Sequence, residues 1–118
     1  MGRARPRRRR AGGTLLAAAP AFAALGEPVR LHLVGRLCRE GPLPVLRLAE
    51  DLPISRQAVS KHLDALAEAG LVVGERRGRE RIWRLRPERL DEVRRHLDAI
   101  AAQWDQALAR LRGLVEED

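Results

Sequence analysis

The stretch Leu52-Pro53-Ile54-Ser55-Arg56-Gln57-Ala58-Val59-Ser60-Lys61-His62-Leu63 decides how this chain of 118 residues folds. Pro53 biases its predecessor out of the α region, so it ends any helix before it and forces a turn. Ser55 offers a side-chain oxygen to the amides that the first turn of a new helix leaves unbonded. From Arg56 the apolar residues Val59, Leu63 and Leu66 fall at i, i+4 and i+7, one stripe of a helix reaching about Ala69, where Gly70 stops it. Turning that stripe inward leaves Arg56, Gln57, Ser60, Lys61 and Asp64 on the opposite face.

Upstream, Glu27 opens a helical pattern through Val29, Leu33 and Leu37, with Val34 and Cys38 on the adjoining stripe. Pro28 stands at the first helical position, and Gly41-Pro42 ends the run. A short helix from about Pro44 to Asp51, facing Val45, Leu48, Ala49 and Leu52 inward, leads into the Pro53 turn. Downstream the period changes from helix to strand. Leu71-Val72-Val73 opens one strand, Arg77-Gly78-Arg79 reads as a hairpin turn, and Arg81-Ile82-Trp83-Arg84-Leu85 forms a second strand, in which Trp83 packs the hairpin. From Pro87 a last helix places Leu90, Val93, Leu97, Ile100, Trp104, Leu108, Leu111 and Val115 at spacings of three and four. Such a helix is about 40 Å long, and a domain of this size cannot bury its whole stripe, so a second chain is the expected partner.

Composition supports a mainly helical domain. Hydrophobic residues make up 45% of the chain, enough for a core, but Phe22, Trp83 and Trp104 are its only aromatics and there is no Tyr. That core must therefore be Leu, Val, Ile and Ala, which favours helices over a sandwich of strands. The single Cys38 excludes an internal disulfide and a thiolate-rich zinc site, and it fits a reducing cytoplasm. Residues 14–25 follow basic residues in the manner of a secretory leader, yet Pro20 interrupts a run that is half Ala, and we read it as the first helix. No stretch approaches the length of a membrane span.

The net charge of +7 is unevenly spread. Residues 1–10 carry six arginines and no acid, residues 55–86 have eight basic against four acidic side chains, and residues 87–118 have five against eight. Residues 1–13 therefore read as a disordered basic arm, and residues 14–118 as one domain with a localised positive stretch. Clustered cations of that kind can follow a phosphate backbone.

Two short helices across a tight turn, followed by a hairpin tipped with arginines, is the order of a winged helix-turn-helix. More than the order matches. The stretch Phe22-Ala-Ala-Leu-Gly-Glu-Pro-Val-Arg-Leu31, the decisive segment Leu52–Leu63, the Glu68-Ala-Gly-Leu-Val72 turn and Gly78-Arg-Glu-Arg-Ile-Trp-Arg-Leu85 together resemble the ArsR family of bacterial transcriptional regulators over about residues 20–115. The resemblance implies a mainly α fold with a two-stranded β-hairpin wing, a homodimer formed through the first and last helices, and sequence-specific binding of a double-stranded operator, usually as a repressor. It also implies a backbone contact for His62, which could otherwise simply pack beside Leu66.

The residue types agree with groove binding. Arg56 and Lys61 can donate to guanine or phosphate, Gln57 can pair an adenine edge, and Ser55 and Ser60 serve base or backbone. Arg76, Arg77, Arg79 and Arg81 would lie along the phosphates or enter the minor groove from the wing. Leu97, Ile100, Trp104, Leu108 and Leu111 form the expected dimer stripe. A winged-helix module that only binds protein remains the alternative, though such a module has no need of the wing arginines or of Ser55, Gln57 and Ser60. Metal-sensing relatives use a Cys-x-Cys pair before the turn, but the matching positions here are Pro44 and Leu46, with Ala49 where a third thiolate would stand. Isolated His32, Cys38 and His96, the last beside Asp98, do not make up a ligand set. No metal and no cofactor are expected, no effector can be named, and Cys38 reads as a buried, inert thiol on its stripe. Nucleophile–base constellations and phosphate-binding loops are lacking, so no enzyme is expected.

Overall fold

The computed structural model describes residues 15–116, so the arm expected at residues 1–13 lies outside it. Helix α1 spans Leu15–Leu25, α2 Pro28–Glu40, β1 Leu43–Pro44, α3 Val45–Leu48, α4 Arg56–Glu68, β2 Val72–Arg77, β3 Glu80–Leu85 and α5 Pro87–Glu116. The expected winged helix-turn-helix order is present, with two differences of detail. Helix α3 stops three residues short of Asp51, because Glu50 and Leu52 donate their amides three residues back, to Arg47 and Ala49, and the chain tightens into turns before Pro53. The hairpin also gains a third strand, since Leu43 pairs with Trp83 and Pro44 with Ile82 to give the antiparallel order β1-β3-β2. Two residues are too few for any alternation to announce a strand.

Helices α2 and α4 each start on a side-chain cap. The Glu27 carboxylate accepts the Arg30 amide at 2.8 Å, with Pro28 at the first helical position. The Ser55 hydroxyl accepts the Ala58 amide at 3.1 Å, as its N-cap reading requires. At the far end of α4, Gly70 takes φ +81° and the Leu71 amide reaches back to the Leu66 carbonyl at 3.0 Å, while Leu71 itself is fully buried. That is the glycine-based stop in which a left-handed residue satisfies a terminal carbonyl and a following apolar residue packs under the helix. Arg89 completes it from α5, donating Nε to the Ala69 carbonyl at 3.0 Å.

One core joins these elements. It is built from Leu33 and Leu37 of α2, Leu48, the Val59–Leu63–Leu66 stripe of α4, Leu71, Val72, Trp83 and Val93. Helix α1 enters it through Ala21 and Ala24, whose small side chains allow close approach. Val93 is the only residue of α5 that is fully within the core.

Helix α2 departs from the expected burial in two places. Cys38 is exposed, not buried: the inward face at the end of α2 is occupied by Leu37 and by Arg36, and Cys38 points past them to solvent. Arg36, 6% exposed, is a buried charge that the stripe did not foretell. Its guanidinium donates to Glu40 at 2.8 and 3.1 Å, to the Arg47 carbonyl at 2.9 Å and to Asp51 at 3.3 Å, so it bridges α2 to the turn that precedes α4.

Candidate nucleic-acid interface

Burying Val59, Leu63 and Leu66 fixes the rotation of α4 and turns its other face outward. Ser55, Arg56, Gln57 and Lys61 are exposed and Ser60 is half-buried. With Val45 and Ala58, these five line an open concavity of about 750 Å³ at the N-terminal end of the helix. Arg56 and Lys61 form no ion pair among the described residues, so both cations are available to an anion brought to this face. The first-turn amides of α4 add their positive end to the same place.

His62 lies apart from that concavity, half-buried against α2. Its Nδ1 accepts a hydrogen bond from Arg30 Nε at 3.3 Å and stands 3.7 Å from the Glu27 carboxylate. Both contacts are made through Nδ1, which leaves Nε2 without a partner among the described residues. Sequence reasoning missed Arg30 and Glu27 as the residues that orient His62. The Glu27–Pro28 helix start was visible, but its distance in space from His62 was not.

In the wing, β2 and β3 pair from Val72 opposite Leu85 out to Arg77 opposite Glu80. Gly78, at φ +63°, opens the two-residue turn that joins them. Trp83 is buried at 4% exposure, so it packs the hairpin as expected. The Arg81 guanidinium lies over its ring, 5.3 Å from the centroid. Arg84 is engaged by Glu75, through Nε at 3.1 Å and Nη2 at 3.0 Å. Arg76, Arg77 and Arg79 are exposed and without ion pairs among the described residues.

Helix α5 leaves an apolar surface uncovered. Leu97, Ile100, Trp104 and Leu111 are 42–63% exposed and Leu108 is half-buried. Near its start the stripe borders α1, where Ala19, Phe22, Leu97 and Ile100 line an apolar hollow of about 410 Å³. Pro44 and Leu46 lie at β1 and α3, and Ala49 follows them. No group of three or more His, Cys, Asp or Glu side chains placed to hold a metal exists among the described residues. His32 is instead bonded to Asp51 at 3.0 Å. No helix among the described residues is long and apolar enough to cross a membrane.

A capped helix with a polar outer face, held across a turn from a second helix and followed by a basic hairpin, defines a winged helix-turn-helix DNA-binding protein. Comparison with known proteins specifies the class further. Residues 25–75 match the helix-turn-helix domain family. The chain is 40% identical over 98 residues to the HTH-type transcriptional regulator Rv2034 of Mycobacterium tuberculosis, covering 83% of this chain and 88% of that one. It is 39% identical over 92 residues to the HTH-type transcriptional repressor SmtB of the same organism, covering 78% of this chain and 66% of that one. The solved ArsR-like transcriptional regulator from Rhodococcus sp. RHA1 superposes with a TM-score of 0.69 at 38% identity, over 86% of this chain and 95% of that structure. The chain belongs to the ArsR/SmtB family of helix-turn-helix transcriptional regulators, and its function is that of a DNA-binding repressor.

Proposed function

We propose that the chain represses transcription as a homodimer on a palindromic operator, with α4 of each protomer in the major groove and each wing along the flanking backbone. The observation that carries this reading is the polar concavity of α4, where Arg56, Gln57, Ser60 and Lys61 face outward with their cations unpaired. Arg56 and Gln57 are assigned base edges, Ser55, Ser60 and Lys61 edges or phosphates, and His62 a phosphate contact through Nε2. Arg76, Arg77, Arg79 and Arg81 belong to the wing's contact, and the six arginines of residues 1–10 add sequence-independent attraction. The homodimer is supported by the uncovered stripe of α5 and by dimers within the family. Two such protomers would place their half-sites about 10 bp apart, or a multiple of that.

The experiment is a binding titration against a duplex selected by the protein from a random pool. The double variant Arg56→Ala, Gln57→Ala should lose about 1–3 kcal/mol per base contact on the selected duplex, keep its affinity for random DNA within a few-fold, and remain folded. Unchanged affinity for the selected duplex would remove α4 from base readout. We further infer that soft metals do not control this protein, because Pro44, Leu46 and Ala49 offer no donor atoms where a thiolate site would require them.

A further inference from the structure

The two faces of the wing differ in how their charges are compensated. Directly opposed residues of an antiparallel pair project to the same face. On the outer face Glu75 bonds Arg84, and an acid, Glu80, stands at the register position opposite Arg77. The face that packs on the helices carries Val72, Leu85 and Trp83 at its base and, one pair further toward the tip, Arg76 opposite Arg81. Like charges directly opposed across a ladder repel, and neither arginine has an acidic partner among the described residues.

Arg81 is also held in place. Its guanidinium rests on the Trp83 ring at 5.3 Å. The space it crosses lies above Gly74, the residue paired with Trp83. A Cβ at position 74 would stand 3.0 Å from Arg81 Nε, 3.1 Å from Arg81 Cδ and 3.0 Å from Trp83 Cζ3. Those distances are tighter than ordinary van der Waals contact, and of the two neighbours only the Arg81 side chain can move away.

We propose that this face of the wing holds a backbone phosphate: Arg76 and Arg81 bracket it, and Gly74 is the positioning residue that lets Arg81 lie stacked on Trp83 and aimed at it. The phosphate supplies the negative charge whose absence leaves the pair repulsive. The proposal rests on the DNA-binding reading above. It adds that Arg84, held by Glu75, contributes little, and that a glycine with no DNA contact of its own sets the strength of the grip.

The test measures affinity for the selected duplex and for a random duplex of equal length over a range of salt. Wild-type protein that bound neither duplex would overturn the DNA-binding reading itself, before any variant is considered. Given wild-type binding, Arg76→Ala and Arg81→Ala should each weaken both duplexes on the order of tenfold and lower the salt slope, and the double variant should lower it by about 0.9, the contribution of one phosphate. Gly74→Ala should reproduce the Arg81→Ala loss and its slope although Arg81 is present, and Gly74→Ala combined with Arg81→Ala should be no weaker than Arg81→Ala alone. Circular dichroism should match wild type for all of them. The charge-neutral pair Glu75→Gln with Arg84→Gln should retain the wild-type slope. An equal loss from the Glu75→Gln, Arg84→Gln pair would overturn the assignment of faces, and additive losses from Gly74→Ala and Arg81→Ala would overturn the role of Gly74. A loss confined to the selected duplex would replace the phosphate with a base edge and so overturn the proposal.

Discussion

Arg36 shows how much one side chain decides. Its hydrogen bond to Glu40, together with its charge, holds that carboxyl below its ordinary value against the opposing effect of burial. For Asp51, burial pushes the carboxyl up, but the His32 hydrogen bond and the charges of His32 and Arg36 outweigh it, and the result is again below the ordinary value. Both acids therefore titrate lower in the folded chain than in the unfolded one. Their stabilisation is complete above the unfolded carboxylate range, near pH 4, and is lost as pH falls through it toward the folded values. The urea midpoint should accordingly drop between about pH 5 and pH 3, and the drop should shrink in Arg36→Met, which has no guanidinium to pair. An acid limb that is the same in both proteins would show that this network adds nothing to the pH dependence. None of this could be read from the sequence, because Arg36 sits among apolar positions whose spacing gives no sign that one of them is a cation. Cys38 was misplaced for the same reason: a stripe gives a direction, and the width of the buried face depends on which elements pack there.

Among the elements, α4 was the most legible and α5 the least complete. The start of α4 at Ser55, its stripe of Val59, Leu63 and Leu66 and its stop at Gly70 depend on local chemistry, so the sequence carries them in full. The third strand and the Arg89 contact to Ala69 depend on segments brought together from afar, and no local pattern encodes them. Helix α5 spans 30 residues, about 45 Å at 1.5 Å per residue, yet only Val93 is buried, so beyond its border with α1 most of its apolar stripe is left uncovered by the described residues. Trp104, 63% exposed, is the largest apolar group on that stripe. In the proposed homodimer it serves as an anchor, and Trp104→Ala should raise the dimer dissociation constant by at least about thirtyfold, the equivalent of 2 kcal/mol. Operator binding should fall with it, since one protomer presents only one recognition helix. Sedimentation analysis across a dilution series measures the first effect. A variant as dimeric as wild type would assign Trp104 to some other contact.

At the scale of the whole molecule, a repressor is released only by a ligand that favours the free form over the DNA-bound one. His32 is bonded to Asp51 and the positions of a thiolate site hold Pro44, Leu46 and Ala49, so on the reading proposed above zinc would have no such preference to exploit. Operator affinity should stay constant when zinc, cadmium or arsenite is titrated well above the protein concentration. Release that disappears in His96→Ala would place a metal site between protomers. The sheet carries a different consequence, for how the protein fails under stress. Its two outer edges are poor templates for recruiting a stray strand. One edge is the two-residue β1, whose Pro44 has no amide hydrogen to offer, and the other, β2, runs through Gly74 into Glu75, Arg76 and Arg77. Short, proline-bearing or charged borders of this kind oppose fibril-like stacking. A preparation heated until its dimers part should therefore clump amorphously through the freed flank of α5, with little of the ordered cross-β signal that open sheet borders produce.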